Sequence, residues 1–136
     1  MGAYISKGGK KSKFAGYYFH LEADASFVGG GIYCPKPKEL KAVRNNIYDD
    51  ASEIKEILNN KKFIETFPKM YGKKLKTAPR GFSKDFKDIS LLNFKSYVVI
   101  KKLSNEDILG DSFFEDLLST FKIQKPFNDY LNKVIK

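Results

Sequence analysis

Tyr18, His20 and Glu22 alternate along one short run and could do proton chemistry together. In an extended strand, side chains two positions apart project to the same face, so the imidazole would sit between a phenol and a carboxylate able to orient it. That arrangement makes His20 the candidate catalytic acid or base. The competing reading is a hydrogen-bonded strand histidine with a structural role. A metal centre is not indicated, because one His and one Cys leave carboxylates to complete any ligand set and no ligand spacing is present. No motif calls for a cofactor. Cys34, directly before Pro35, has no base near it in sequence and reads as a small buried filler.

A second set of residues is cationic. The formal net charge is +9, and it is concentrated: Lys61, Lys62, Lys69, Lys73, Lys74, Lys76, Arg80, Lys84 and Lys87 face only Glu65 and Asp85 across 61–87. Tyr71 and Phe82 interrupt these cations, a mixture that suits phosphate groups or single-stranded nucleic acid. Lysines outnumber arginines 23 to 2, however, and bidentate recognition of phosphates or bases favours Arg. Specific nucleic-acid readout is therefore disfavoured, and non-specific binding through 61–87 stands as an alternative.

The leading expectation is an anionic or phosphate-bearing small molecule bound near His20 by Tyr18, Tyr33, Lys76, Arg80 and Lys95. An enzyme acting on such a ligand is the other alternative, with His20 as acid/base and Lys76 and Arg80 holding negative charge. A plainly solvated basic loop is the reading without function.

The elements that must position these residues follow from periodicity. Residues 14–34 hold two alternating runs joined at a short polar break, which predicts a β-hairpin. Tyr17, Phe19 and Leu21 form the expected core face of the first arm. In the second arm Val28, Ile32 and Cys34 share a side. Gly29-Gly30-Gly31 lacks the strand, G-x-G-x-x-G and helix order of a dinucleotide turn, so the expectation is a flattened strand over which a ring or helix packs. Residues 2–5 predict a strand end, followed by a basic Gly-Gly turn to Lys13.

Pro37 opens a helix to about Tyr48, with Leu40, Val43 and Ile47 on one face. Short helices follow, with Ile54, Ile57 and Leu58 inward in one and Phe63, Ile64 and Phe67 in the next. Residues 68–86 lack any apolar period and predict a long loop. Residues 88–94 suit a turn or two of helix, and 95–103 a strand that joins the hairpin sheet. Ser104 and Asp107 resemble a capping box opening a short helix that ends at Gly110. Phe114, Leu117, Leu118, Phe121, Tyr130, Leu131 and Val134 form the apolar side of a last helix, kinked or broken near Pro126.

A length of 136 residues with 42% hydrophobic and 30% charged residues fits one globular domain, 1–136, and not a disordered tail. No stretch of about 20 apolar residues exists to span a membrane, and the Met-Gly start lacks the apolar region of a signal peptide. The single Cys cannot form an internal disulfide. A cytoplasmic protein that binds no membrane is the expectation.

Several words of this sequence resemble one bacterial family of conserved hypothetical proteins, catalogued as domain of unknown function 2461. They are Gly-Ala-Tyr-Ile-Ser-Lys-Gly-Gly-Lys-Lys-Ser (2–12), Ala-Gly-Tyr-Tyr-Phe-His-Leu-Glu (15–22), Gly-Gly-Gly-Ile-Tyr (29–33), Leu-Lys-Thr-Ala-Pro-Arg-Gly-Phe (75–82), Leu-Leu-Asn-Phe-Lys-Ser-Tyr (91–97) and Lys-Pro-Phe-Asn-Asp-Tyr-Leu (125–131). The resemblance covers the family's C-terminal two thirds. It implies that an upstream Arg-x-x-Arg-Asp-x-Arg-Phe signature is missing, since Arg44 and Arg80 are the only arginines. The family has no established activity, so the resemblance implies no catalytic residue.

The resulting expectation is an α+β fold, incomplete at its N-terminus relative to the family. An antiparallel sheet made of the 14–34 hairpin and the 95–103 strand packs against several short helices and a C-terminal helix. An open edge or uncovered sheet face is expected, and a homodimer could fill it.

Overall fold

The computed structural model describes residues 2–6, 8–9 and 12–135; Lys7, Lys10 and Lys11 of the expected basic turn lie outside them. Alternating side chains build β1 (Gly2–Ser6), β2 (Gly16–His20), β3 (Ser26–Ile32), β4 (Met70–Tyr71) and β5 (Tyr97–Leu103). These form one antiparallel sheet in the order β1-β2-β3-β5-β4. The 14–34 hairpin thus lies beside the 95–103 strand, as its pattern requires.

Register decides what each face carries. Tyr18 lies opposite both Tyr4 and Gly29, His20 opposite Phe27, and Phe27 opposite Lys102, so these side chains share one face. Tyr17, Val28, Tyr97 and Val99 share the other. There Val28, Tyr97 and Val99 are fully buried.

The helices cover that second face. They are α1 (Pro37–Asp49), α2 (Ser52–Asn59), α3 (Lys61–Thr66), α4 (Ile89–Leu92), α5 (Asn105–Leu109) and α6 (Phe113–Ile135). α6 lies against β3, and α1, α2 and α3 pack on α6. Its Phe127, Tyr130 and Leu131 join Val43 and Ile47 of α1, Ile54 of α2 and Phe63 of α3 in one cluster with the sheet. Local signals set the helix starts. Asn60 accepts a hydrogen bond from the Phe63 amide, and Ser104 and Asp107 complete a capping box at α5. The fold is α+β.

The triple glycine is a packing solution. At Gly30, where φ is +146°, a Cβ would collide with the Gly16 carbonyl and come within 2.8 Å of Gln124 Nε2. A Cβ on Gly29 would strike the Val99 carbonyl oxygen, and one on Gly31 that of Tyr97. Neighbouring strands and α6 therefore close on the backbone of β3 from both sides.

Four expectations need correction. Residues 68–86 are not all loop, because β4 pairs with β5 and Lys74 bridges Phe94; two residues are too few to show a period. Cys34 is exposed, because β3 ends at Ile32 and the backbone turns to φ +46° at Cys34. Ile64 is 41% exposed, and Phe114 and Leu118 are 75% and 58% exposed, so α3 and the start of α6 bury narrower stripes than their sequences offer. The last helix also runs unbroken through Pro126.

Candidate functional site

The sheet face opposite α6 forms the floor of a cleft of about 1320 Å³. Its walls follow from the register. Tyr4 and Tyr18 stand on β1 and β2, Phe27 on β3, Ile100 and Lys102 on β5 and Tyr71 on β4, and the backbone of Gly30 and Gly31 lines the floor. Tyr33, Cys34 and Lys36 close one end, where the chain leaves β3 for α1, and Lys13 and Phe14 come from the connection before β2.

The rings on this face touch. Tyr18 and Phe27 have centroids 5.5 Å apart, and His20 and Phe27 5.4 Å.

The charges that line the cleft lean basic, with Lys13, Lys36 and Lys102 against Asp24 and Glu39. Glu39 is buried in the first turn of α1, and its Oε2 has no hydrogen-bond partner among the described residues. The Tyr33 phenol is held above its ordinary value, first by hydrogen bonding to and the charge of the Cys34 side chain, then by burial and by Tyr71. It stays protonated at neutral pH and can donate a hydrogen bond.

The structure brings two of the six expected site residues into this cleft, Tyr18 and Tyr33. His20 stands beside it, against Phe27, with Nε2 3.9 Å from Glu22 Oε2, beyond hydrogen-bonding distance. Lys76, Arg80 and Lys95 are exposed and do not line it. For Lys76 and Arg80 the reason lies in how 72–88 is held. Phe82 and Phe86 pack on Tyr48 of α1, at 5.2 and 4.8 Å between centroids, and the Leu75 amide donates to the Asn93 carbonyl at 2.7 Å. These contacts fix the loop against α1 and the approach to β5.

Sequence reasoning missed Tyr4, Phe27, Lys36 and Lys102 as cleft residues. For Tyr4, Phe27 and Lys102 the signal was available only through pairing register, since Phe27 becomes a neighbour of Tyr18 and Lys102 once β2, β3 and β5 are aligned. Among the described residues, no three His, Cys, Asp or Glu side chains gather as a metal site. No helix among them is long and apolar enough to cross a membrane. What the cleft offers chemically is stacking surface along its floor and cations near its ends.

The family described as a conserved hypothetical protein (DUF2461) matches residues 1–130 of the 136. No curated protein and no solved structure matches the chain.

Proposed function

The chain belongs to the DUF2461 family of conserved hypothetical proteins, and for it we propose the role of a binding domain for a flat, anionic small molecule held on the open face of the sheet. The observation that carries this reading is the joining of Tyr4, Tyr18, Phe27, Tyr33 and Tyr71 with Lys13, Lys36 and Lys102 around one cleft. Apolar concave sites with a few placed polar groups are the usual form of small-molecule sites. The rings would take the ligand's planar body, and the lysines its phosphate, sulfate or carboxylate group. Charge thus comes from the cleft's own lysines, and not from Lys76, Arg80 and Lys95.

Calorimetric titration with 1-naphthyl phosphate, beside inorganic phosphate and neutral naphthol, tests the reading. Saturable binding of the ester that weakens about two- to tenfold in Phe27→Ala, the worth of one aromatic contact, is the expected result. A Lys102→Ala change should weaken the ester but not naphthol. Equal or absent binding of all three compounds would contradict the proposal.

A second reading, an enzyme on the same ligand, rests on the place of His20 beside the cleft, against Phe27. Release of naphthol by the wild type, lost in His20→Ala while affinity is retained, would support it. Turnover unaffected by the change removes His20 from any mechanism.

A further inference from the structure

Away from the cleft, α5 and the start of α6 carry an exposed apolar group. Leu109 is 84%, Phe114 75% and Leu118 58% exposed. Phe114 and Leu118 are four residues apart on α6 and therefore stand on one flank of it. Around them the chain is purely acidic: between Leu103 and Lys122 lie Glu106, Asp107, Asp111, Glu115 and Asp116, and no basic residue.

Two of these acids have local duties, Asp107 in the α5 capping box and Asp116 accepting from the Ser112 hydroxyl. Glu106, Asp111 and Glu115 are exposed and have no hydrogen-bond or ion-pair partner among the described residues. Acids in the first turn favour a helix, which accounts for Glu106 and Glu115 in part. It accounts for neither Asp111, which precedes α6, nor the three apolar side chains held in water.

The same molecule carries the complement. The nine cations of 61–87 make no salt bridge among the described residues. Exposed apolar surface accompanies them on α3, where Ile64 is 41% exposed.

We propose that the acidic apolar surface of Leu109, Phe114 and Leu118 docks on the basic 61–87 surface of a second copy of this chain. Opposite charge would steer and register the contact, and the buried apolar side chains would hold it. Such a contact joins unlike surfaces, so it can occur twice, reciprocally, in a twofold dimer or propagate head to tail. It uses none of the cleft lysines and does not depend on the ligand reading.

Complementation between charge-reversed variants tests it. One variant carries Asp111→Lys and Glu115→Lys, the other Lys69→Glu and Lys73→Glu; all four sites are exposed, and circular dichroism checks that each variant folds. Sedimentation of the wild type should show a mass of at least twice the chain's, falling toward monomer as salt is raised. Each variant alone should be monomeric, and an equimolar mixture should recover the associated mass, because it restores one native acidic–basic pair. A wild type that is monomeric at every concentration overturns the proposal. So does association that survives both variants, or two monomeric variants that fail to associate when mixed.

Discussion

Gln124 of α6 reaches across to β2 and donates from Nε2 to the carbonyl oxygen of Gly16 at 3.2 Å, in a site where both are buried. Asn128, one helical turn on, donates to the same oxygen at 3.0 Å and accepts from Gln124 at 3.0 Å. Two amides thereby fasten the long helix to the sheet at one backbone atom, directly beneath the glycine floor of the cleft. Buried polar groups so tied fix one arrangement of helix on sheet, since a shifted helix would strand them without partners.

Gln124→Leu should therefore cost about 1–3 kcal/mol, because it leaves the Asn128 side-chain oxygen unpaired in a buried site. The double change with Asn128→Leu should cost less than the sum of the single changes, since the amides share one network. Urea unfolding of the four proteins in this cycle measures both effects. Additive losses would mean that the two side chains act separately.

The glycines of the sheet and loop differ in what they tolerate. Gly30→Ala should destabilise by about 3 kcal/mol or more, as the added methyl meets the Gly16 carbonyl at a strained φ. Gly81 also has positive φ, +90°, but open space around it, so Gly81→Ala should cost about 1 kcal/mol from backbone strain alone. Thermal unfolding of both variants separates steric from conformational cost.

Alkaline pH should unfold this protein through its buried phenols. Burial pushes Tyr97 and Tyr130 well above the ordinary tyrosine value of 10.0, and their hydroxyls donate to the Leu91 carbonyl at 2.7 Å and to Asn46 Oδ1 at 2.6 Å. An unfolded chain ionises these phenols near pH 10, while the folded one must keep its protons. The contribution is complete below that pH and is lost as pH rises toward the raised folded values, at about 1.4 kcal/mol per pH unit per phenol. Urea midpoints measured at rising alkaline pH should fall, and Tyr97→Phe should flatten the fall. An unchanged slope in that variant would remove Tyr97 from the effect.

Much of this architecture was legible in the sequence, and the gaps have physical causes. The hairpin and the capping box at Ser104 are local signals that depend on neighbouring residues alone, and both form as read. β4 exists because β5 offers it an edge, which no local pattern announces. Gln124 and Asn128 look like solvent-facing residues in a helical sequence, and only the approach of Gly16 makes them interior.

The candidate site divides in the same way. Tyr18 and Tyr33 could be picked out from the 14–34 sequence itself, but their companions Phe27 and Lys102 come from strand pairing. Lys76 and Arg80 stand out by charge, and the packing of Phe82 and Phe86 on Tyr48 holds their loop against α1. Charge density marks where cations are in sequence; aromatic packing decides which face they serve.

The most direct test of the cleft is a heteronuclear correlation spectrum of the labelled protein titrated with 1-naphthyl phosphate. The binding account predicts saturable shifts concentrated at Tyr4, Tyr18, Phe27, Tyr33 and Lys102, with 72–88 largely still. Shifts confined to the basic segment around Lys76 and Arg80, or none that saturate, would contradict it.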